Sequence, residues 1–286
     1  MYSAERGKRR RICNTKSYLS LLYRGDDVSP GEIILKAGVK LTPQAIGALA
    51  AMGISEVLVI RKIRAAIIST GDELIHITER PKQGQIRDVN SDMLAAAMEQ
   101  AGAVPVLYGI VRDERRLLDE AVERAVPECD LILISGGSSV GEKDATCRVI
   151  ASQGEVLLHG IAMKPGKPTI LGKVQGIPVV GLPGHPGAAF FVTQLLVIPL
   201  LDCLTGSREK RYTVRATLTE SVGANHGRAQ FTAVSMEERE GRWYAAPIRS
   251  KSGLITSLAA SDGYFAIAYD CEGAAAGAEV EVIPYS

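Results

Sequence analysis

A run of four apolar residues, Leu131–Ile134, constrains the fold of this chain more than any other stretch. It contains only leucine and isoleucine, which predicts a strand buried on both faces of a parallel sheet. A glycine- and serine-rich segment, Ser135–Asp144, follows, and a segment with helical apolar spacing comes next. Glycines let the backbone approach a ligand, and hydroxyls and helix-start N–H groups bind anions. The stretch therefore predicts an anion-binding loop, with an ordinary strand-to-helix turn as the alternative.

Strands and helices alternate through residues 62–207, which predicts a three-layer α/β domain with a mainly parallel sheet. Asn90 or Ser91 is expected to cap one of its helices. The segment Gly187–Leu204 is apolar nearly all round, so we expect a helix enclosed between layers. The remaining expected strands are Ile63–Ser69, Val104–Val111, Val156–Ile161, Thr169–Val174 and Ile177–Leu182.

The last part of the chain, residues 208–286, has no helical spacing. Its segments alternate in polarity, are rich in β-branched and aromatic residues, and are separated by glycine turns. Such a pattern is typical of a small all-β barrel or sandwich. We expect a barrel-like domain with strands within Arg211–Ser221, Arg228–Glu237, Arg242–Ile248, Tyr264–Ala268 and Glu279–Ile283.

The first part of the chain has neither pattern. Residues 1–22 form a basic segment too polar for the apolar core of a secretory signal, and we expect a disordered leader. Residues 23–61 predict a short strand at Ile33–Lys36, a helix capped by Thr42 and a second strand at Ser55–Ile60. This is too little for an independent core, so we interpret it as the remnant of an N-terminal linker or dimerisation domain.

Charge and cysteine content exclude several classes of protein. Lys and Arg number 33 against 32 Asp and Glu, a net charge of +1, so no overall field attracts nucleic acid or an anionic membrane. The five cysteines are scattered without a CxxC pair, which argues against a disulfide framework or structural zinc and favours the cytoplasm. The longest apolar stretch, Ala188–Leu201, contains polar residues and a proline and is too short to span a bilayer. We therefore expect a cytoplasmic protein with a small-molecule partner.

Unusual residues follow several of the predicted strands. In an open parallel sheet, ligands bind beyond the carboxyl ends of the strands, where such loops converge. Carboxylates bind Mg²⁺ through oxygen, while lysines and amides hold phosphate oxygens. Two lysines in a proline-stiffened turn, Lys164 and Lys167, reach the same area if their loop folds over it. The loops expected at this edge are Thr70–Glu73, Asp113, Gly136–Asp144 and Pro183–Pro186.

Each candidate residue also has a purely structural interpretation. Asp113 is placed to be a helix N-cap, and Asp72 or Glu73 to hydrogen-bond neighbouring amides. Lys164 and Lys167 are alternatively solvated surface charges. The histidines lack metal-ligand spacing, and no Ser/His/Asp or Cys/His signature occurs, so a histidine zinc site and covalent catalysis are disfavoured.

Five motifs together resemble one known family, that of the molybdopterin molybdenumtransferases, MoeA and the gephyrin E domain. The resemblance covers residues 24–286, since Arg24–Asp27 and the C-terminal β domain follow the family's order as well. The motifs are Ser69–Leu74, Asp88–Asn90, Ser135–Asp144, Lys164–Pro168 and Gly181–Pro186.

The resemblance implies insertion of molybdenum from molybdate into adenylylated molybdopterin, with release of AMP and assistance by Mg²⁺. It assigns Glu73, Asp113 and Asp144 to metal binding or phosphoanhydride cleavage. It also implies a homodimer in the full-length form. The residues that it assigns to binding of the pterin phosphate and oxyanion or to lining the cleft are Asp27, Thr70, Gly71, Asp72, Asn90, Gly136, Gly137, Ser138, Ser139, Gly141, Lys164, Pro165, Lys167, Pro183, Gly184, His185 and Pro186.

The chain departs from the family in two places. The family's upstream half, which contributes to the site and to dimerisation, has no counterpart in this sequence, and another chain supplying it is one alternative. His185 stands where asparagine or tyrosine is usual, and Gly187–Ala188 where Val-Ser is usual. Two other functions therefore stay open: a MogA-like molybdopterin adenylyltransferase, and a non-catalytic molybdopterin-binding or scaffold module. The Arg24–Asp27 segment and the terminal β domain count against the adenylyltransferase.

Overall fold

The computed structural model describes residues 25–136, 145–207, 212–224, 227–248 and 255–285. The chain divides into two compact units, one ending at Glu56 and one beginning at Val57. In chain order, the elements are α1 (Pro43–Ala51), β1 (Arg64–Thr70), β2 (Leu74–Ile75), β3 (Ile86–Arg87), α2 (Asn90–Gln100), β4 (Val104–Val111), α3 (Arg115–Ala125), β5 (Leu131–Ser135), α4 (Ala145–Gln153), β6 (Gly154–His159), β7 (Met163–Lys164), β8 (Ile170–Val174), β9 (Ile177–Leu182), α5 (Pro186–Val192), a π-helical segment (Thr193–Val197), α6 (Ile198–Thr205), β10 (Val214–Leu218), β11 (Val222–Gly223), β12 (Ala229–Arg239), β13 (Arg242–Pro247), α7 (Ile255–Leu258), β14 (Gly263–Ile267), β15 (Gly273–Ala274) and β16 (Glu279–Pro284).

The first unit contains the predicted helix α1. Its N-cap is Thr42, whose hydroxyl oxygen accepts a hydrogen bond from the N–H of Ala45 at 3.2 Å, as the sequence predicts. The strands expected at Ile33–Lys36 and Ser55–Ile60 are wrong, because the structure has no strand there. The side chains of Val57–Ile60 are exposed, and β-branched residues form a strand only where a neighbouring strand pairs with them.

A six-stranded sheet in the order β4-β1-β5-β9-β8-β6 forms the centre of the second unit. The first four strands are parallel, and β8 and β6 are antiparallel, so the sheet is mainly parallel as expected. Helices α2, α5 and α6 pack on one face of it, and α3 and α4 on the other. Successive side chains of β5 alternate between these two cores, which is why Leu131–Ile134 is apolar throughout. The three-layer α/β prediction is confirmed.

The apolar segment after β9 forms a continuous helical stretch, Pro186–Thr205, with a π-helical middle. The stretch has 20 residues, and its mean hydropathy over an 18-residue window is 1.9, so by length and composition alone it could cross a membrane; the expectation that the apolar stretch is too short is wrong. Ala189, Val192 and Leu201 nevertheless lie buried in the core on one face of the sheet. The stretch therefore packs as a core helix of the α/β domain.

The C-terminal strands close into a five-stranded barrel, in the order β13-β10-β16-β14-β12, with β12 pairing back to β13. This confirms the predicted barrel. The short strand β7 adds to its edge: Met163 pairs with Ala229, and Lys164 with Gln230. In addition, Phe191 of α5 contacts the ring of Tyr264 edge-on, with ring centroids 5.7 Å apart. The barrel is thus joined to the α/β domain by hydrogen bonds and by aromatic packing.

Candidate functional site

A cavity of about 870 Å³ lies at the carboxyl ends of the parallel strands, and we call it the first cavity. Residues after β1, β4, β5 and β9 line it, together with the segment that leads into α2. This is the edge at which the sequence places the ligand. Of the sequence-predicted site residues, the first cavity brings together Thr70, Glu73, Asn90, Asp113, Gly136 and the turn Pro183–Pro186.

Asn90 connects two of the loops that line the first cavity. Its Nδ2 donates hydrogen bonds to the Ser135 hydroxyl oxygen at 2.7 Å and to the Gly184 carbonyl oxygen at 2.9 Å. The residue is only 6% exposed, and its Oδ1 has no hydrogen-bond partner among the described residues. Asn90 therefore fixes the end of β5 against the turn that follows β9.

Asp88, rather than Asn90 or Ser91, caps the start of α2. One carboxylate oxygen of Asp88 accepts hydrogen bonds from the N–H groups of Asn90 and Ser91, both at 3.1 Å. The other accepts from the Ser91 hydroxyl at 2.6 Å. The expected cap is therefore wrong: Val89 precedes α2 and makes no side-chain cap bond, and one oxygen of Asp88 accepts from two N–H groups that have no helical partner.

Asp113 and Glu73 are the two exposed carboxylates of the first cavity outside the Asp88 cap. The Thr70 hydroxyl donates to Asp113 Oδ1 at 2.6 Å. The N-cap interpretation of Asp113 is wrong, since Glu114 precedes the first residue of α3 and makes no side-chain cap bond. The Glu73 carboxylate lies over Gly71, within 2.9 Å of where a Cβ would stand.

Gly71 and Asp72 lie beside the first cavity rather than among its lining residues. A carboxylate oxygen of Asp72 accepts a hydrogen bond from the Asp113 N–H at 3.3 Å, in line with the structural interpretation of Asp72. A contact of Gly71 or Asp72 with the substrate stays a prediction.

Gly136 begins the glycine-rich segment and needs to be glycine. Its φ is +104°, and a Cβ would lie 2.0 Å from the Thr70 carbonyl oxygen. The absence of a side chain lets the ends of β1 and β5 approach each other beneath the first cavity. The other predicted residues of this loop, Gly137, Ser138, Ser139, Gly141 and Asp144, lie outside the described residues.

A second cavity, of about 800 Å³, lies between the α/β domain and the barrel. The predicted residues Lys164, Pro165 and Lys167 line this cavity and not the first one. The sequence predicts that these lysines reach the carboxylates if their loop folds over that edge, but β7 pairs with the barrel, and the turn lines the neighbouring cavity instead. The two cavities share the lining residues Pro168, Pro183 and His185.

The described lining of the second cavity includes Arg228 and no aspartate or glutamate. Gln230 also lines it; this side chain is 7% exposed and donates to the Gly223 carbonyl oxygen at 2.9 Å. Its buried Oε1 has no partner in the described part of the chain. With Lys164 and Lys167, the second cavity is therefore cationic and suited to an anion.

Sequence reasoning missed the arginines of both cavities. Arg87, Arg115 and Arg148 line the first cavity, and Arg228 the second. For Arg115 and Arg148 a signal existed, since both stand in the first turn of a helix that starts at the ligand-binding edge. Arg228 had no such signal, because its position depends on how the barrel packs. Asp27 is exposed within the first unit, and its part in the site stays a prediction.

The described residues contain no group of three or more His, Cys, Asp and Glu side chains placed to hold a metal ion. Glu73 and Asp113 nevertheless open onto the same cavity. Two carboxylates suffice for Mg²⁺, which keeps several waters and takes other oxygens from substrate phosphates.

Two family models match the second unit. A model described as a probable molybdopterin binding domain matches residues 66–202, which span the α/β domain. A model described as the MoeA C-terminal region, domain IV, matches residues 215–285, which span the barrel.

Curated and solved relatives match over most of the chain. A putative molybdopterin biosynthesis protein of Methanocaldococcus jannaschii is 33% identical over 90% of this chain and 64% of its own length. The molybdopterin molybdenumtransferase of Bacillus subtilis is 30% identical over 94% of this chain and 66% of its own length. The solved structure of a molybdenum cofactor biosynthesis protein of Pyrococcus furiosus is 34% identical, with a TM-score of 0.73, over 91% of this chain and 82% of its own. The chain spans just under two thirds of the length of these two curated relatives.

Proposed function

We propose a function from one premise, which is that this chain belongs to the MoeA family of molybdenum cofactor biosynthesis proteins. The proposed reaction is the insertion of molybdenum from molybdate into adenylylated molybdopterin, with release of AMP. The relatives named molybdopterin molybdenumtransferase support the reaction class. We also propose that the protein acts in the cytoplasm and that its full-length form is a homodimer.

The observation that carries this proposal is the contact between two cavities of different charge. The first cavity offers the carboxylates Glu73 and Asp113, and the second offers Lys164, Lys167 and Arg228 without a carboxylate in its described lining. A phosphoanhydride with its metal ion suits the first, and a molybdate dianion suits the second. Because the cavities share lining residues, the two substrates would meet without leaving the protein.

Mg²⁺ fits the carboxylates of the first cavity. The Thr70 hydroxyl donates a hydrogen bond to Asp113 Oδ1 and so fixes the orientation of the carboxylate. The second oxygen, Oδ2, is then the one that would bind a ligand. Glu73 is exposed at the same cavity, and Asp144 is the third carboxylate that the family motif supplies. Mg²⁺ held there would neutralise charge on the phosphoanhydride. Lys164 and Lys167 would orient the oxyanion, since positioning and charge neutralisation account for most of such catalysis.

Incubation with adenylylated molybdopterin, with and without molybdate, tests the proposal through the AMP released. We expect AMP release that depends on molybdate and falls at least about 10-fold in Glu73→Gln and in Asp144→Asn. We expect Lys164→Ala with Lys167→Ala to raise the molybdate concentration needed for half-maximal release.

The outcomes separate the candidate functions. Tight binding of adenylylated molybdopterin without turnover would identify a non-catalytic binding module. Adenylylation of molybdopterin by ATP would identify an adenylyltransferase instead. Unchanged AMP release in both carboxylate variants would show that the site assignment is wrong.

A further inference from the structure

Arg148 lines the first cavity, and the proposed function assigns it no role. It lies in the first turn of α4, is exposed and lines the cavity. Among the described residues, none forms an ion pair or hydrogen bond with its guanidinium group. An arginine that opens onto a polar cavity without a protein partner has its five N–H donors available to a ligand.

Arg115 is a second arginine on the same side of the first cavity. It is the first residue of α3, which packs with α4 on one face of the sheet. Its Nε lies 3.4 Å from a carboxylate oxygen of Asp119, and its side chain is 58% exposed. Exposed pairs of this kind contribute little stability, so the guanidinium is easily shared with a ligand.

The placement of both arginines opposes the helix dipoles. The N-terminal turn of a helix is partly positive, so a cation there is slightly unfavourable and an anion is favoured. Here two neighbouring helices, of 11 and 9 residues, each place an arginine in that turn beside one cavity. An anion between them would be attracted by both guanidinium groups and by both helix starts.

The described carboxylates Glu73 and Asp113 of the first cavity do not pair with these two arginines. Asp113 accepts from the Thr70 hydroxyl, and the Glu73 carboxylate lies over Gly71. No ion pair joins either of them to Arg148 or Arg115 in the described chain. A planar guanidinium group matches two oxygens of a phosphoryl group, which makes phosphate the best-fitting anion.

We infer that Arg148, assisted by Arg115, binds the phosphoryl oxygens of an adenylate in the first cavity and so selects it over the unphosphorylated nucleoside. The inference rests on the proposed function for the identity of the anion. It assigns to these arginines a binding role that is separate from the carboxylates and from the cationic second cavity.

Isothermal titration of the chain with AMP, and separately with adenosine, tests the inference without turnover. In Arg148→Ala we expect AMP affinity to fall about 10- to 100-fold, because a charge-assisted hydrogen bond is lost, while adenosine affinity stays the same. The AMP affinity of Arg148→Lys should lie between those of the unsubstituted chain and Arg148→Ala, since lysine keeps the charge and loses the bidentate hydrogen bonding of the guanidinium group. Arg116→Ala is the matched control, because Arg116 is an exposed α3 residue paired with Glu120 outside the cavity lining.

Each result decides the inference in one direction. AMP affinity at the unsubstituted level in Arg148→Ala, or no AMP binding by the unsubstituted chain, would overturn it. Equal losses of AMP and adenosine would also overturn it, because they would show general damage to the cavity. If AMP binding depends on Arg148 but molybdate triggers no AMP release, the inference stands and the proposed function fails.

Discussion

Replacing Asn90 by aspartate tests whether the floor of the first cavity is held by hydrogen bonds. The substitution keeps the size of the side chain and removes the Nδ2 donor. That donor now bonds the Ser135 hydroxyl oxygen at 2.7 Å and the Gly184 carbonyl oxygen at 2.9 Å. The Ser135 hydroxyl can turn and donate to the new carboxylate, but the Gly184 carbonyl only accepts.

The expected loss of stability follows from these contacts. Two hydrogen bonds contribute about 0.5–1.5 kcal/mol each, and the Gly184 carbonyl left without a donor costs about 1–3 kcal/mol more. Because the Ser135 bond is partly recovered, we expect Asn90→Asp to lower the free energy of unfolding by about 2–4 kcal/mol at pH 7. Asn90 is only 6% exposed, so water replaces the lost donor poorly.

Urea unfolding at pH 7 measures this loss, read as a change in midpoint at constant m-value. Gln100→Glu is the matched control, since Gln100 is an exposed amide at the end of the same helix, and we expect a change within about 0.5 kcal/mol. At pH 4 the aspartate variant should recover part of its stability, because a protonated carboxyl group again donates a hydrogen bond. Equal midpoints for Asn90→Asp and Gln100→Glu would refute the role of Asn90.

Three other predictions concern the close approach of Gly136 to Thr70, the ion pair of Asp130 with Arg61 just before β1, and the packing of Phe191 against the barrel. Gly136→Ala should destabilise the chain by at least about 2 kcal/mol and weaken AMP binding, because the φ of residue 136 is +104° and the new Cβ would clash with the Thr70 carbonyl oxygen. Urea unfolding measures the loss of stability, and AMP titration measures the loss of binding. The pKa of Asp130 is lowered, chiefly by hydrogen bonds from Arg61, so its stabilisation is fully present well above the unfolded pKa of about 3.9 and is lost as pH falls through the lower folded pKa. The difference in stability between the unsubstituted chain and Asp130→Asn should therefore narrow between pH 7 and about pH 3, as measured by urea unfolding. Phe191→Ala, which removes a 5%-exposed ring, should cost about 3–5 kcal/mol in the same unfolding assay.

The sheet was predictable because its sequence signals are strong and local. Leu131–Ile134 is apolar without interruption, since both faces of β5 are covered by helices. The strands expected at Ile33–Lys36 and Ser55–Ile60 had the same residue types without a partner strand. Composition alone cannot tell these cases apart, because strand formation depends on pairing with distant residues.

The candidate site was only partly predictable for a related reason. Glu73, Asp113 and Gly136 meet at one cavity because the topology of a parallel sheet dictates where its loops converge. The displacement of Lys164 and Lys167 depends on β7 pairing with the barrel, a contact between residues more than 60 positions apart. No local pattern encodes such a contact.

The pairing of β7 with β12 also determines which domains line each cavity. The first cavity is lined by the α/β domain alone, whereas the second needs Lys164 and Lys167 from that domain together with Arg228 and Gln230 from the barrel side. Because β7 pairs with β12 at Lys164 and Gln230, any shift of the barrel would move Lys164 relative to the carboxylates of the first cavity. An α/β domain without the barrel would keep the whole described lining of the first cavity and would lose Arg228, one of the three cations that line the second. Under the proposed function, this combination of both domains would separate transfer of molybdenum from simple binding or adenylylation of the pterin.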